Sequence, residues 1–368
     1  MDFGLSDEQR LLQNTFSSYL TEQVPISRAR AISEAMPPDV TALWRDLANL
    51  GASGVLIPQE YGGAGLTLLD AALIAQTLGQ AVVPSPYLAA AVMAPTSFLE
   101  AGSPEQKHEW LPKIASGDIR MGVAATETYS IRENACVHLE SGRLRGKALM
   151  ALDATEAHAL LVAAGSSDLL LVSPDAPGLH ISPLIAVDRT RTLSEIVFDG
   201  VKPADSLGGP RGAGSAIERM LDAGRVILAA ETVGACDAML EQAVSYASQR
   251  RQFGRVIGSF QAVKHMCAEM AAELEPARSL FWYAAHAFDE RLTDSPLTIA
   301  HAKTHISEAG VFIARTATEV HGGVGFTDEQ NLHIWFKRIG VNRHLLGSPD
   351  VLRERAAKLQ GWATCSTP

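Results

Sequence analysis

The sequence predicts an α+β protein that is mostly α-helical. Its expected parts are an N-terminal helical domain (1–119), a small central β-barrel (120–207) and a C-terminal four-helix-bundle domain (208–368). In the two outer parts, apolar residues recur at a spacing of three to four, which is typical of amphipathic helices. In the central part, short β-branched runs are separated by Gly, Pro, Asp and Ser, which favours strands. A chain of 368 residues is long enough for two or three domains.

Composition narrows the class of protein. Apolar residues make up 47% and charged residues 20%, and the formal net charge is −10. An acidic chain argues against nucleic acid or an anionic membrane as the main partner. The polar N-terminus does not resemble a signal peptide, and no apolar run is long enough for a membrane helix. The four cysteines, which lack paired spacing, favour a reduced, cytoplasmic setting and no metal site: Cys136, Cys236, Cys267 and Cys365.

The N-terminal part shows several helix signals. Ser6 is a candidate N-cap for a helix that begins at Asp7 and continues through Leu20. Ser103 followed by Pro104 opens a later helix in the same way. Between them the pattern predicts helices over 40–50, 66–78 and 89–99.

The spacing of apolar residues predicts strands in the central part and helices in the C-terminal part. Strands are expected at Val137–Leu139, Leu160–Val162, Leu169–Val172, Leu179–Ile181 and Ile196–Phe198. The chain after Gly208 is expected to be helical over 213–250, 261–290, 297–321 and 329–338, with a final helix that begins at Ser348-Pro349.

The corner between the first two C-terminal helices reads Arg250-Arg251-Gln252-Phe253-Gly254. Arginines in a last helical turn favour the helix dipole, and Gly is a common helix stop. The alternative is a phosphate-bearing ligand, with guanidinium groups on the phosphate and the Phe253 ring against a ligand ring.

Several motifs, in this order along the chain, resemble the acyl-CoA dehydrogenase family. They are L-S-D-E-Q near the start, P-x-E-Y-G-G-x-G, G-S-x-E-Q-K followed by W-L-P-x-x-A-S-G, and R-Q-F-G followed by F-Q-A-V-K-H. The resemblance implies the three-part fold predicted above and FAD as cofactor. It also implies hydride transfer from the β carbon of an acyl-CoA thioester, while a carboxylate removes the α proton.

The residues at the two positions where the family carries its catalytic base are not carboxylates. Where most members have a Glu on the loop about two dozen residues past the G-G-x-G-F turn, this chain has Leu346. Where a minority have a Glu on the long helix, it has Gly224. Asp222 is the nearest substitute, and Glu329 is interpreted as a surface residue at a helix start.

The resemblance also assigns cofactor and substrate contacts. The positions that would meet the ADP part of a partner's FAD are Arg250, Phe253, Gln261, Glu319, Gly322 and Gly323, with Glu319 standing where a Gln is usual. Asp222 and Arg225 match positions that meet the pantetheine arm of CoA, although Arg225 could equally form a helix-surface ion pair.

The flavin-ring side matches less well. Thr126 and Glu127 follow the family pattern, but the Pro and the small A-G-S-D run are missing. Met150 and Leu152 stand where a Trp and a Thr are frequent. Fewer polar side chains are therefore expected to reach the ring edge.

Loss of both bases, with the rest of the pattern kept, leads to a main hypothesis and two alternatives. The main hypothesis is a non-catalytic or half-site subunit of an α2β2 heterotetramer, whose second acyl-CoA dehydrogenase subunit carries the base. Heterotetramers of this kind handle bulky acyl-CoAs such as steroid side-chain thioesters. The alternatives are a self-sufficient homotetramer with a displaced base such as Asp222, and a redox-inactive acyl-CoA-binding scaffold. By resemblance the electron acceptor is an electron-transferring flavoprotein. The acyl group itself is not specified by the sequence.

Overall fold

A computed structural model describes residues 4–35, 38–125, 135–209 and 212–362. Thr126 and Glu127, which were expected to line the flavin, lie outside the described residues. The helices are α1 (Asp7–Gln23), α2 (Ile26–Glu34), α3 (Thr41–Asn49), α4 (Leu68–Gln80), α5 (Ala94–Ala101), α6 (Pro104–Ala115), α7 (Gly214–Gln249), α8 (Gln261–Asp289), α9 (Ser295–His321), α10 (Leu332–His344) and α11 (Pro349–Leu359).

By contacts, the chain divides into two compact units. The first comprises Met1–Ala29, Ala72–Val83 and Val226–Pro368, and the second comprises Arg30–Ala71 and Pro84–Arg225. The domain boundaries expected from the sequence stay a prediction. None of the helices in the described part of the chain is long and apolar enough to cross a bilayer.

Two predicted helix starts are confirmed in detail. Ser6 accepts a hydrogen bond from the backbone N–H of Gln9, and the Gln9 side chain accepts one from the Ser6 N–H. Ser103 and Gln106 form the same reciprocal pair, and Pro104 occupies the first helical position. These capping boxes satisfy backbone donors that the helix itself leaves unpaired.

Other helix predictions need correction. The helix predicted from Asp7 through Leu20 is confirmed as α1, but a separate helix after Pro25, α2, was not predicted. The expected helix over 89–99 begins with a π-helical segment, Tyr87–Met93, that continues into α5. The helix expected over 329–338 is α10, which starts later and continues to His344.

One sheet of eight strands forms the middle of the chain. Its pairing order is β6-β7-β3-β1-β4-β5-β8, with β2 paired to β3 outside this path. The strands β1 and β4 are parallel, and the remaining pairs are antiparallel. The bounds are β1 (Met121–Ala124), β2 (Cys136–Glu140), β3 (Arg143–Leu152), β4 (Ala159–Ala164), β5 (Asp168–Val172), β6 (Leu179–Pro183), β7 (Leu193–Val201) and β8 (Asp205–Leu207).

All five predicted strand runs lie within these strands, whereas β1, β3 and β8 were missed. Side chains of the sheet form a buried apolar cluster that includes Leu144, Val162, Ile196 and Phe198.

Close packing of α4 on α7 depends on two glycines. A Cβ at Gly79 would lie 2.1 Å from the Glu231 carbonyl oxygen, and one at Gly234 would lie 1.9 Å from the Gln76 carbonyl oxygen. Any larger residue would push the two helices apart. The contact also brings the Gln76 amide to the Asp237 carboxylate at 2.9 Å, and Arg278 of α8 binds that carboxylate with both terminal nitrogens.

Candidate functional site: an exposed corner and a base position without a carboxylate

The corner after α7 is a two-stranded hairpin. Strands β9 (Arg251–Gln252) and β10 (Arg255–Val256) are joined by Phe253 and Gly254, whose φ angles are +52° and +78°. Positive φ at both central residues is the pattern of a type I′ turn, which fits the twist of a hairpin. Phe253 adopts this conformation although it is not glycine, and its side chain is 91% exposed. The turn therefore presents an aromatic ring to the outside of the chain.

Charged and aromatic groups surround that ring. The Phe260 ring lies edge-to-face with Phe253 at 6.2 Å, and the Arg255 guanidinium lies 3.9 Å above Phe260. Arg250 follows the last turn of α7, where its backbone N–H binds the Tyr246 carbonyl, and its side chain is exposed. Gln261 is the exposed first residue of α8.

The turn after α9 joins this corner. The His321 ring stacks on Tyr246 at 4.6 Å and its Nδ1 lies 2.7 Å from the Ala317 carbonyl oxygen, so the end of α9 packs beside the end of α7. Gly322 has φ +66°, and a Cβ at Gly322 or Gly323 would meet no atom within 4 Å. Backbone without side chains in open space allows close approach of a ligand.

This group of residues fits the ADP end of a dinucleotide. It supplies guanidinium groups, an exposed ring and unobstructed glycine backbone. Glu319 is exposed on the last turn of α9 and adds a negative charge, which disfavours a pyrophosphate unless it is paired or protonated.

The first expected base position holds no carboxylate. Leu346 lies between α10 and α11, is 1% exposed and has φ +56°. Leu345 beside it is also buried. The site is thus filled by apolar side chains.

The second base position, Gly224, is buried within α7, and the nearby carboxylate is engaged in an ion pair. Asp222 Oδ1 lies 2.6 Å from Arg225 Nη1, and these residues are 4% and 2% exposed. The interpretation of Arg225 as part of a helix-surface ion pair is therefore wrong, because the pair is buried. Glu329 is exposed in a short 3-10 turn, as the surface interpretation expected.

On the expected flavin-ring side, the two described residues offer no polar group. Met150 has φ +58° at a bulge in β3, between Ala148 and Ala151. Leu152 is buried and pairs with Leu193 of β7.

A buried polar cluster lies in the C-terminal helices, and sequence reasoning missed it. Arg338 of α10 forms an ion pair with Glu231 of α7, whose Oε2 accepts from Asn342 Nδ2 at 3.0 Å. Lys303 of α9 donates to the Asn342 carbonyl oxygen at 2.8 Å and to Ser307 Oγ at 3.0 Å. No local pattern marks these residues, because their partners are distant in sequence. Elsewhere too, the described residues include no group of three or more His, Cys, Asp or Glu arranged to hold a metal ion.

Comparisons with known proteins place the chain in a family. Residues 6–118 match the family described as Acyl-CoA dehydrogenase, N-terminal domain, and residues 211–360 match Acyl-CoA dehydrogenase, C-terminal domain. The protein is 30% identical over 349 residues to the acyl-CoA dehydrogenase IpdE2 of Mycobacterium tuberculosis, covering 94% of this chain and 96% of IpdE2. The chain therefore belongs to the acyl-CoA dehydrogenase family.

Solved structures agree with this assignment. A variant of the Tcur3481-Tcur3483 steroid ACAD superposes with a TM-score of 0.87 at 30% identity, covering 96% of this chain and 98% of that one. The FAD complex of PigA superposes with a TM-score of 0.88 at 26% identity, covering 98% of this chain and 100% of that one. These similarities confirm the predicted fold class.

Proposed function

We propose that this chain is the half-site subunit of an acyl-CoA dehydrogenase, assembled as an α2β2 heterotetramer with a second family member that carries the catalytic base. The observation that carries the proposal is the base position itself. Leu346 is a buried hydrocarbon side chain, and a hydrocarbon cannot accept the α proton of a thioester. At the other family position, Gly224 has no side chain at all.

The nearest carboxylate is poorly suited to replace the base. Asp222 and Arg225 neutralise each other within a buried pair. A proton transferred to Asp222 would remove the negative charge that faces the Arg225 guanidinium in this buried pair, and breaking a buried pair costs about 3–5 kcal/mol. That energy would add to the barrier of proton abstraction.

The exposed corner supplies groups that would bind the ADP part of the proposed partner's FAD. FAD, when bound, accepts the hydride from the substrate. Arg250 would bind its phosphates, Phe253 would pack on the adenosine, and Gly322 and Gly323 would let the cofactor approach the backbone. The PigA complex supports FAD as the cofactor, because that neighbour's structure contains it.

The test is the visible spectrum of the purified chain, alone and co-expressed with the second family member. Flavin absorbs at about 450 nm, and we expect no flavin in the isolated chain but about half an equivalent per chain in the complex. Arg250→Met should lower flavin retention in the complex, whereas Lys337→Met, an exposed residue on α10, should not. Stoichiometric flavin and acyl-CoA turnover by the isolated chain would refute the half-site role.

Asp222 also supports a second candidate, the self-sufficient homotetramer, because it is a carboxylate near the minority base position. That candidate expects activity of the isolated chain and loss of activity in Asp222→Asn. The redox-inactive scaffold instead expects thioester binding with no flavin in any pairing.

The proposal extends to the substrate, the electron acceptor and the location of the protein. We propose a bulky acyl-CoA, such as a steroid side-chain thioester, because a neighbour at 30% identity is named a steroid ACAD. An electron-transferring flavoprotein as acceptor and a cytoplasmic location belong to this proposal too.

A further inference from the structure

His321 is the last residue of α9, and its side chain is buried. The ring Nδ1 lies 2.7 Å from the Ala317 carbonyl oxygen. Because a carbonyl oxygen only accepts hydrogen bonds, Nδ1 carries the proton of this contact. The bond holds the ring against the last turn of its own helix, directly before Gly322 and Gly323.

The same ring also contacts α7. It stacks on Tyr246 with 4.6 Å between the ring centroids and 25° between the ring planes. Tyr246 lies one helical turn before Arg250, and its carbonyl oxygen accepts from the Arg250 backbone N–H at 2.8 Å. His321 therefore connects the end of α9, which leads to the two glycines, with the end of α7, which leads to Arg250.

The glycine turn after α9, Gly322–Phe326, packs closely on His321. A Cβ at Gly325 would lie 2.9 Å from the His321 Cβ and 2.7 Å from the Thr318 carbonyl oxygen. Gly322 has φ 66° and ψ −144°, a conformation that is almost restricted to glycine. A displacement of His321 would therefore move this backbone too, because atoms packed so closely leave no room for independent movement.

We infer that His321 is a positioning residue for the ADP end of the proposed flavin site. It holds Arg250 and the backbone of Gly322 and Gly323 at a fixed separation, so that both can meet one dinucleotide without rearrangement. Histidine combines two contacts in one side chain, a stacked ring towards α7 and an N–H donor towards α9. The inference rests on the half-site proposal, because that proposal assigns the ADP part of FAD to this corner.

Fluorescence titration of the flavin-free, co-expressed complex with FAD tests this role. His321→Leu removes both contacts and should weaken FAD binding at least about tenfold. His321→Phe keeps the stacked ring, and His321→Asn keeps a donor at the position of Nδ1, so each should weaken binding only a few-fold. In an Arg250→Met background the loss caused by His321→Leu should shrink, because one of the groups that it positions is then missing.

His286→Leu is the matched control. His286 lies in the last turn of α8, with its ring 6.5 Å from that of Tyr283, so this variant also removes a histidine beside a tyrosine at a helix end. It should leave the FAD affinity unchanged, because it lies at the opposite end of α8 from the corner. Circular dichroism confirms folding, and His321→Phe and His321→Asn replace His321→Leu if that variant does not fold.

Hydrogen exchange of the isolated chain gives a measurement that needs no flavin. His321→Leu should speed the exchange of the backbone amides in Gly322–Phe326, whereas His286→Leu should not. Three results would overturn the inference: unchanged exchange in this turn, wild-type FAD affinity in every His321 variant that folds, or an equal loss of affinity in His286→Leu. A wild-type complex that binds no FAD would instead refute the half-site proposal, and the inference with it.

Discussion

Leu346 and Phe253 share a left-handed backbone conformation, with φ of 56° and 52°, but their side chains have opposite surroundings. The Leu346 side chain is 1% exposed, whereas that of Phe253 is 91% exposed. Left-handed backbone costs a non-glycine residue about 1 kcal/mol or more. At Leu346, burial of an apolar side chain, worth about 2 kcal/mol, offsets that cost. The Phe253 side chain is almost fully exposed, so burial within the chain does not offset the cost there.

The difference indicates where each region gains its stability. The Leu346 loop is complete within the chain, as part of a folded core. Under the half-site proposal, a ligand or another subunit that covered the Phe253 ring would offset the cost of this turn. The contrast between a buried Leu346 and an exposed Phe253 is what the half-site proposal expects.

The largest expected effect comes from a substitution in the buried region. Arg338 lies on α10, the helix that leads to Leu346, and Arg338→Met removes the cation that pairs with the buried Glu231 carboxylate of α7. Removal of one member of a buried pair should lower the free energy of unfolding by about 3–5 kcal/mol. Urea denaturation measures the loss, and Lys337→Met, one residue earlier and exposed, should change it by less than ~0.5 kcal/mol. A loss below ~1 kcal/mol would show that the cluster contributes little.

A second substitution tests whether the base position is truly apolar. Burial should raise the pKa of the carboxyl introduced by Leu346→Glu above its unfolded value of about 4.3, so the folded state keeps it protonated. Stability should fall as the pH rises from the unfolded pKa to the raised folded pKa, and level off above that. We expect a loss of about 2–4 kcal/mol that is larger at pH 8 than at pH 5, measured by thermal melting.

Leu346→Gln is the control for this titration. It introduces a polar side chain of the same length that does not ionise, so its loss should not change over the same pH range. Parallel curves for the two variants would show that water reaches the position. Acyl-CoA oxidation by the Leu346→Glu chain would in addition show that a base there can act in this chain.

How much of the structure can be predicted from the sequence depends on how far apart in sequence the interacting residues are. Ser6 and Ser103 predict their helix starts because a cap is satisfied within three residues. Strand β3 was missed because Arg143, Arg145 and Gly146 interrupt the apolar pattern and a bulge shifts its alternation. The end of α10 was placed too early because its last turns, with Gly340 and Arg343, read as a loop.

Separation in sequence also determines which parts of the candidate site could be predicted. The Arg250 to Phe253 corner was predicted because its residues are contiguous and its resemblance to the family is local. The Glu231–Arg338 pair was not, because its members are 107 positions apart in sequence. The burial of Asp222 and Arg225 was also missed, since charged residues three apart on a helix usually indicate a surface pair.

A pair of glycine substitutions tests the comparison directly. Phe253→Gly relieves the left-handed strain and loses almost no buried surface, so the isolated chain should stay within ~0.5 kcal/mol of the wild type or gain stability. Leu346→Gly relieves the same strain but loses a buried side chain, so it should lose about 2 kcal/mol. Denaturant titration of both variants measures the contrast. Equal losses would show that the Phe253 ring is already packed within the chain.

The smallest effect concerns thiol reactivity and leaves stability unchanged. Cys236 is buried on α7, and burial, with the charge of Asp237 as a lesser cause, raises the pKa of its thiol. Burial also raises the pKa of Cys267, which is only half-buried, whereas Cys136 is exposed on β2. The thiolate is the reactive form. Among these three cysteines, iodoacetamide at mildly alkaline pH should therefore label Cys136 first, Cys267 more slowly and Cys236 only after unfolding, as followed by peptide mass mapping. Rapid labelling of Cys236 in the folded chain would mean that α7 opens locally, and the buried pairs on that helix would then be less protected than their geometry indicates.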